Sequence, residues 1–234
     1  MKKHILAIET SFEVCSVAIW DGVKAFDISQ VTPRQHTQHI LPMIDKLLSE
    51  ANLSLSDLDA IAVATGPGSF TGVRIAISVA QGLAFGAGLK IVPISTLEAL
   101  AFGAVEKAAL KEAEVAMAID AGMEEIYWAV YRVSHEHADG VPIIKDLVCR
   151  RDQIPSCKSN PSSMAWMGAG SGWRLYLSEI TQAMKSSPKI IIEDIVPNAL
   201  WVAKLALKRR LLGGGLSPEA VLPVYLKNPF MMNA

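Results

Sequence analysis

Charge is scarce in this chain. Only 19% of its 234 residues are charged, the formal net charge is −1, and the one tight basic cluster is Lys208, Arg209 and Arg210. That is far too little positive charge to hold a nucleic acid through its phosphates, so any RNA must be held mostly by another molecule. Cysteine is scarce too. Cys15, Cys149 and Cys157 form no C-x-x-C pair and have no histidine at ligand spacing, which excludes a disulfide framework and a zinc site and leaves reduced, partly buried thiols. No Gly-x-Ser-x-Gly elbow and no His-Glu-x-x-His helix occurs, so nucleophilic and zinc-dependent hydrolysis have no support. The most apolar stretch, 72–89, is broken by Arg74, Ser78 and Gln81 and predicts a buried helix instead of a membrane span. The N-terminus runs into a strand pattern containing Glu9, without the apolar core and cleavage site of a signal peptide, and a cytoplasmic location is expected.

What is abundant is apolar residue, at 51%. Either both faces of a sheet are covered, or surface is reserved for a partner. The chain also carries one plan twice. The segment from Ala7 to Trp20 aligns without a gap on that from Ala118 to Tyr131, each an apolar strand closing on a carboxylate (Glu9, Asp120), then a turn and a returning strand. Asp21-Gly22 and Asp139-Gly140 then signal a hairpin into a third strand in each copy. Strand 58–65 leads into a glycine turn at 66–72, and 164–170 leads into Ser171-Gly172-Trp173.

Periodicity places strands at 5–9, 16–20, 24–29, 58–65 and 91–94, with helices over 37–51, 71–86 and 96–107. The second copy repeats the meander, then strand, helix, a strand at 190–192 and a helix over 198–212. A meander followed by alternating helices and strands predicts an α/β chain of two ribonuclease H-like halves, with mixed sheets flanked by helices, as in actin, hexokinase and Hsp70. The halves are expected at 1–110 and 111–234, the C-terminal segment being free to return to the first.

The Glu9-Thr10-Ser11 turn supports two readings. A carboxylate and hydroxyls at a strand end can hold hydrated magnesium and phosphate, as can Asp120 in the second half, or the hydroxyls can satisfy their own backbone. Gly66-Pro-Gly-Ser-Phe-Thr-Gly72 opens a helix, where amides could receive an anion. Its spacing fits neither the dinucleotide fingerprint nor Walker A, and a capped tight turn is the default. His36 and His39 share a helix face but have no third ligand nearby, so a metallopeptidase site is expected to be absent and no metal site is assigned.

Two helices say more. Ile40, Leu41, Ile44, Leu47, Leu48 and Ala51, broadened by Met43, form a stripe that should meet the sheet. The helix from Gly72 to Gly86 is apolar nearly all round, and needs cover on a second side from the domain's own helices or from a second molecule.

Together these segments resemble the TsaB (YeaZ) family. The resemblance is carried by Ile5 to Ser11, Cys15 to Trp20, Arg34 to Ile44, Gly66 to Arg74, Ile119 to Ala121, Glu125 to Trp128 and Pro223 to Lys227. It implies a non-catalytic, activating partner of the TsaD-type subunit, which transfers a threonylcarbamoyl group to the adenosine next to the anticodon of tRNAs reading codons that begin with A. It further implies a TsaE-type P-loop ATPase as a second partner, tRNA contact only through the complex, and no membrane, and it leaves open a homodimer when the chain is alone. TsaD-type subunits carry a metal-binding His-x-x-x-His pair, and Thr96 and Leu100 stand at those positions here. The implied interface draws on His36, Ile40, Met43, Leu47, Gly72, Arg74, Ile75, Ala76, Val79, Ala80 and Leu83. No cofactor is expected to bind tightly; Glu9, Thr10, Ser11 and Asp120 are the candidates for a nucleotide in this chain, and the complex interface is a separate place open to ATP or ADP with magnesium. The rival expectation is a small actin-fold phosphotransferase or ATPase using Glu9 and Asp120.

Overall fold

The computed structural model describes residues 3–156 and 166–227. The chain divides into two compact units: Met1–Ala99 with Pro197–Tyr225, and Leu100–Val196 with Leu226–Ala234. The division therefore falls near residue 100, earlier than 110.

In the first unit, β1 (Ile5–Glu9), β2 (Val14–Trp20) and β3 (Ala25–Val31) form an antiparallel meander. β4 (Ala60–Ala64) joins parallel to β1, and β5 (Ile91–Ile94) parallel to β4, giving the order β3-β2-β1-β4-β5. Every residue of β1 and β4 is buried, because helices cover both faces of the sheet. Alternation sends Leu6, Ile8, Val17, Ile19, Ile61 and Val63 to one face. They pack there with Ile40, Met43, Ile44 and Leu47 of α1 (His36–Ala51) and Val73, Ala76, Ile77, Ala80 and Ala84 of α2 (Phe70–Ala87).

The alternate positions are small, with Ala7, Ala18, Ala60, Ala62 and Ala64 all fully buried. α3 (Thr96–Lys107) follows β5, and the long C-terminal helix, placed above in the second copy with a return to the first half left open, packs on β1, β2, β4 and β5. Its buried side, with Ala199, Val202, Ala203, Leu205 and Ala206, needs an apolar sheet face, and its local sequence does not say which sheet supplies it. Its first amide, at Ala199, donates to Ser16 Oγ at 3.0 Å, and Arg209 Nη2, near its end, donates to both carboxylate oxygens of the buried Glu98 at 2.6 and 2.7 Å.

The second unit repeats the topology with β6 (Glu112–Gly122), β7 (Glu125–Ser134), β8 (Asp139–Arg150), β9 (Trp166–Ala169) and β10 (Ile190–Ile192), in the order β10-β9-β6-β7-β8. Read from β8, this is the first sheet's order and strand sense, so the two units are ribonuclease H-like halves of one plan. Between β9 and β10 stand only the short helices α4 (Gly172–Leu175) and α5 (Leu177–Met184). A core of Trp128, Trp166, Trp173 and Ile180 fills this smaller unit, and Trp173 Nε1 donates to Ala116 O at 2.8 Å. The C-terminal helix noted above is α6 (Ala199–Leu211). Cys157 and the first two residues of the strand expected at 164–170 lie outside the described residues.

Candidate functional site

The turn after β1 is sealed. Glu9, Thr10 and Ser11 are all 0% exposed, and the glycine segment before α2 is folded directly onto them. Ser69 N donates to Ser11 O at 2.7 Å, and Thr10 Oγ1 donates to Gly72 O at 2.7 Å. A Cβ at Gly68 would lie 2.5 Å from Ser11 O, and one at Gly72 would lie 2.0 Å from Thr10 O. Only glycine permits that approach. Thr96 N donates to Gly66 O at 2.9 Å, so the amides of Ser69 and Thr96 and the hydroxyls of Thr10 and Ser11 are engaged with the chain itself. Ser69 caps α2 by accepting from Gly72 N. This turn therefore does not fit a magnesium ion or a phosphate.

Glu9 accepts from the amide and hydroxyl of Ser11 through Oε1, while Oε2 is buried without a partner. Burial pushes its carboxyl up to about 7 from 4.5, against the lowering effect of the Ser11 hydrogen bonds. The folded chain thus keeps a proton that the unfolded chain releases between those values. Stability attributable to this group is full below pH 4.5 and falls by on the order of 3 kcal/mol as pH rises to about 7. Glu9→Gln, always neutral, is expected to remove that slope in melts recorded across pH 4.5–8, and identical slopes in parent and variant would refute the assignment. Burial and the same carboxyl push the neighbouring Cys15 thiol up to about 11, leaving it inert.

The corresponding turn of the second unit is open. Asp120 is exposed and accepts from Gly122 N at 3.1 Å and from the Tyr176 hydroxyl at 3.3 Å. Arg150 and Arg151 pair with Glu124, and Lys227 pairs with Glu125 at 2.7 Å. The two carboxylates of the phosphotransferase reading thus differ in kind, one sealed and raised in pKa, the other solvated. His36 is buried and joined to Thr32, and His39 is joined to Gln35. Among the described residues no group of three potential metal ligands occurs. Thr96 and Leu100 are both fully buried.

The helix expected to be buried is buried on one side only. α2 is long and apolar enough to cross a membrane by length and composition, yet its inner face is committed to the sheet and to α1. Of the residues proposed above for partner contact, His36, Ile40, Met43, Leu47, Gly72, Ala76 and Ala80 are buried in the unit's own core. They are spent on folding, and a partner cannot reach them. Arg74 is exposed, and Ile75, Val79 and Leu83 are half-buried.

Beside them the structure adds residues that the sequence reading left out of the surface. Phe85 is 82% exposed, Phe70 38%, and Leu41 of α1 51%. Arg74, Ser78 and Gly82 follow one another at helical spacing along the exposed line, and a Cβ at Gly82 or Gly86 would meet nothing within 4 Å. Residues 216–225 run along the flank of α2, where Gln81 Nε2 donates to Pro218 O and Val221 O, and Val224 N donates to Thr65 O. This brings Tyr225 onto Phe70, with ring centroids 5.2 Å apart, and its hydroxyl accepts from Arg74 Nε at 2.5 Å. The spacing of Phe70 and Arg74 is visible in sequence as an i, i+4 pair, whereas nothing local points to Tyr225.

Comparison with known proteins gives a consistent set of matches. A family profile described as TsaD, tRNA N6-adenosine threonylcarbamoyltransferase, matches residues 28–161. The chain is 38% identical over 231 residues to a tRNA threonylcarbamoyladenosine biosynthesis protein TsaB from Haemophilus influenzae, covering 96% of this chain and 93% of that one. It is 36% identical over 233 residues to the TsaB of Escherichia coli K12, covering 96% and 95%. Among solved structures, YeaZ from Pseudomonas aeruginosa superposes with a TM-score of 0.83 at 37% identity, covering 96% of this chain and 100% of that one.

Proposed function

Since the chain belongs to the TsaB family of tRNA threonylcarbamoyladenosine biosynthesis proteins, we propose that it is the non-catalytic, activating subunit of the assembly that forms this nucleoside next to the anticodon in tRNAs reading codons that begin with A. The observation that carries this reading is the outer side of α2, where Ile75, Val79, Leu83 and Phe85 surround the open positions Gly82 and Gly86. An apolar surface with room for close backbone approach suits a helix of a second protein. The occupant is the TsaD-type catalytic relative. Such a subunit shares this fold, so it offers a matching pair of helices.

The rest of the molecule agrees with a partner role. The Glu9–Ser11 turn is closed to phosphate, and the positions of the relative's metal-binding histidines are taken by the buried Thr96 and Leu100. The chain holds no nucleotide tightly by itself. ATP or ADP, with its magnesium, sits at the boundary with the partners, a TsaE-type P-loop ATPase among them. With a net charge of −1, it meets tRNA only through the complex. Without its partner the same face pairs with a second copy, and the whole assembly works in the cytoplasm. The test is reconstitution: a stable complex with the catalytic relative from the same genome, and threonylcarbamoyl transfer that requires both chains.

A further inference from the structure

The exposed side of α2 carries one charge. From Phe70 to Ala87 the only charged residue is Arg74, and it is held with unusual firmness for a surface arginine. Its guanidinium lies 3.5 Å above the Phe70 ring centroid and 5.4 Å from that of Tyr225, and its Nε donates to the Tyr225 hydroxyl. Two aromatic contacts and one hydrogen bond remove the rotamer freedom that such a side chain otherwise loses on binding. Among the described residues, neither terminal nitrogen has a hydrogen-bond partner and no carboxylate pairs with this arginine. What remains is a planar fork, fixed in place and unfilled, at one end of an apolar strip.

From this geometry we propose that Arg74 is the charge-selecting residue of the docking face, taking an aspartate or glutamate carboxylate from a helix of the catalytic relative in a two-pronged pair. The proposal rests on the reading of α2 as that face. A guanidinium fork matches a carboxylate better than any other protein group, and water exclusion by the surrounding apolar residues strengthens the pair. A second copy of this chain is the poorer occupant, since pairing α2 with α2 brings two arginines and no acid of that helix into one interface. Phe70 and Tyr225 are positioning residues, which gives the Pro223–Lys227 segment a task beyond packing.

The experiment is calorimetric titration of the full chain with the catalytic relative from the same genome, at low and high salt. Arg74→Glu should weaken binding by about a hundredfold or more, and Arg74→Lys, which keeps charge but loses the fork, by about tenfold. Arg74→Ala should flatten the salt dependence. Tyr225→Phe should weaken binding several-fold in the parent yet have no effect in the Arg74→Ala background, a non-additivity that general loss of stability does not produce. The side chain is exposed, so all the variants should melt like the parent. If the parent binds and Arg74→Glu binds within about threefold of it, the charge-selecting role is wrong while the docking face stands. Loss of self-association alone, with binding to the relative intact, would assign the fork to a second copy and overturn the proposal. No binding by the parent would remove the face and the fork together.

Discussion

Gly72→Ala should unfold the first unit or lower its Tm by about 10 °C or more, although it adds a single methyl group. The added Cβ would lie 2.0 Å from Thr10 O, and Thr10 is itself tied to the Gly72 carbonyl through its hydroxyl. Both groups are backbone, at the junction of β1 and α2, so neither can turn aside as a flexible side chain would. Relief requires moving the helix away from the strand end, which opens the seal over Glu9 and costs several kcal/mol, about 3 or more. The same substitution ten residues along the same helix has the opposite sign. Gly82→Ala meets nothing within 4 Å and trades glycine for the best helix former, so it should stabilise by about 0.4–1 kcal/mol. Thermal melts of the two variants side by side check the packing. A Gly72→Ala variant melting within about 2 °C of the parent would mean that the turn is not sealed as described.

The second large effect separates folding from association on α2. Phe85→Arg combined with Gly82→Arg should abolish binding to the catalytic relative, and transfer with it, while leaving the melt within about 1–2 °C of the parent. Phe85 is 82% exposed and Gly82 faces open space, so neither arginine displaces a core contact. In an apolar helix–helix contact each would bury an unpaired cation, a cost of several kcal/mol. Ala76→Arg or Ala80→Arg, on the opposite side, cannot serve this purpose. Both alanines are fully buried against the sheet, so a guanidinium there destroys the unit before any partner is met. Binding by light scattering and melting by circular dichroism distinguish the two cases. Unimpaired binding by the double variant would move the interface elsewhere.

Much of the fold was legible because local signals and long-range topology agreed. Apolar strand runs and helical spacing put β1, β5 and α3 at the expected residues, and the repeated order of elements in the two units follows the repeated sequence. Asp21-Gly22 does turn the chain between β2 and β3, but the second turn falls at 135–138, so Asp139 and Gly140 pair inside β8 instead. Less legible was which apolar side faces what. α6 carries a stripe that either sheet could bury, and it joins the first. The seven core residues once assigned to the interface share their character with true surface anchors, since a contact to one's own sheet and a contact to a partner require the same apolar atoms. Only the register of α2 on the sheet separates Ala76 from Ser78, or Ala84 from Phe85. The sealing of Glu9 likewise depends on Gly68 and Gly72 reaching a turn some sixty residues away in sequence, and the Arg74 fork on Tyr225, 151 residues distant.

The most direct measurement of the central claim is threonylcarbamoyl transfer to tRNA by the purified catalytic relative and P-loop ATPase, with and without this chain. The partner account predicts that the chains form a complex and that transfer appears only when this chain is present, unchanged by Glu9→Gln. Transfer that proceeds equally well without it, together with ATP hydrolysis by this chain alone that Glu9→Gln abolishes, would contradict the account and return the protein to the phosphotransferases.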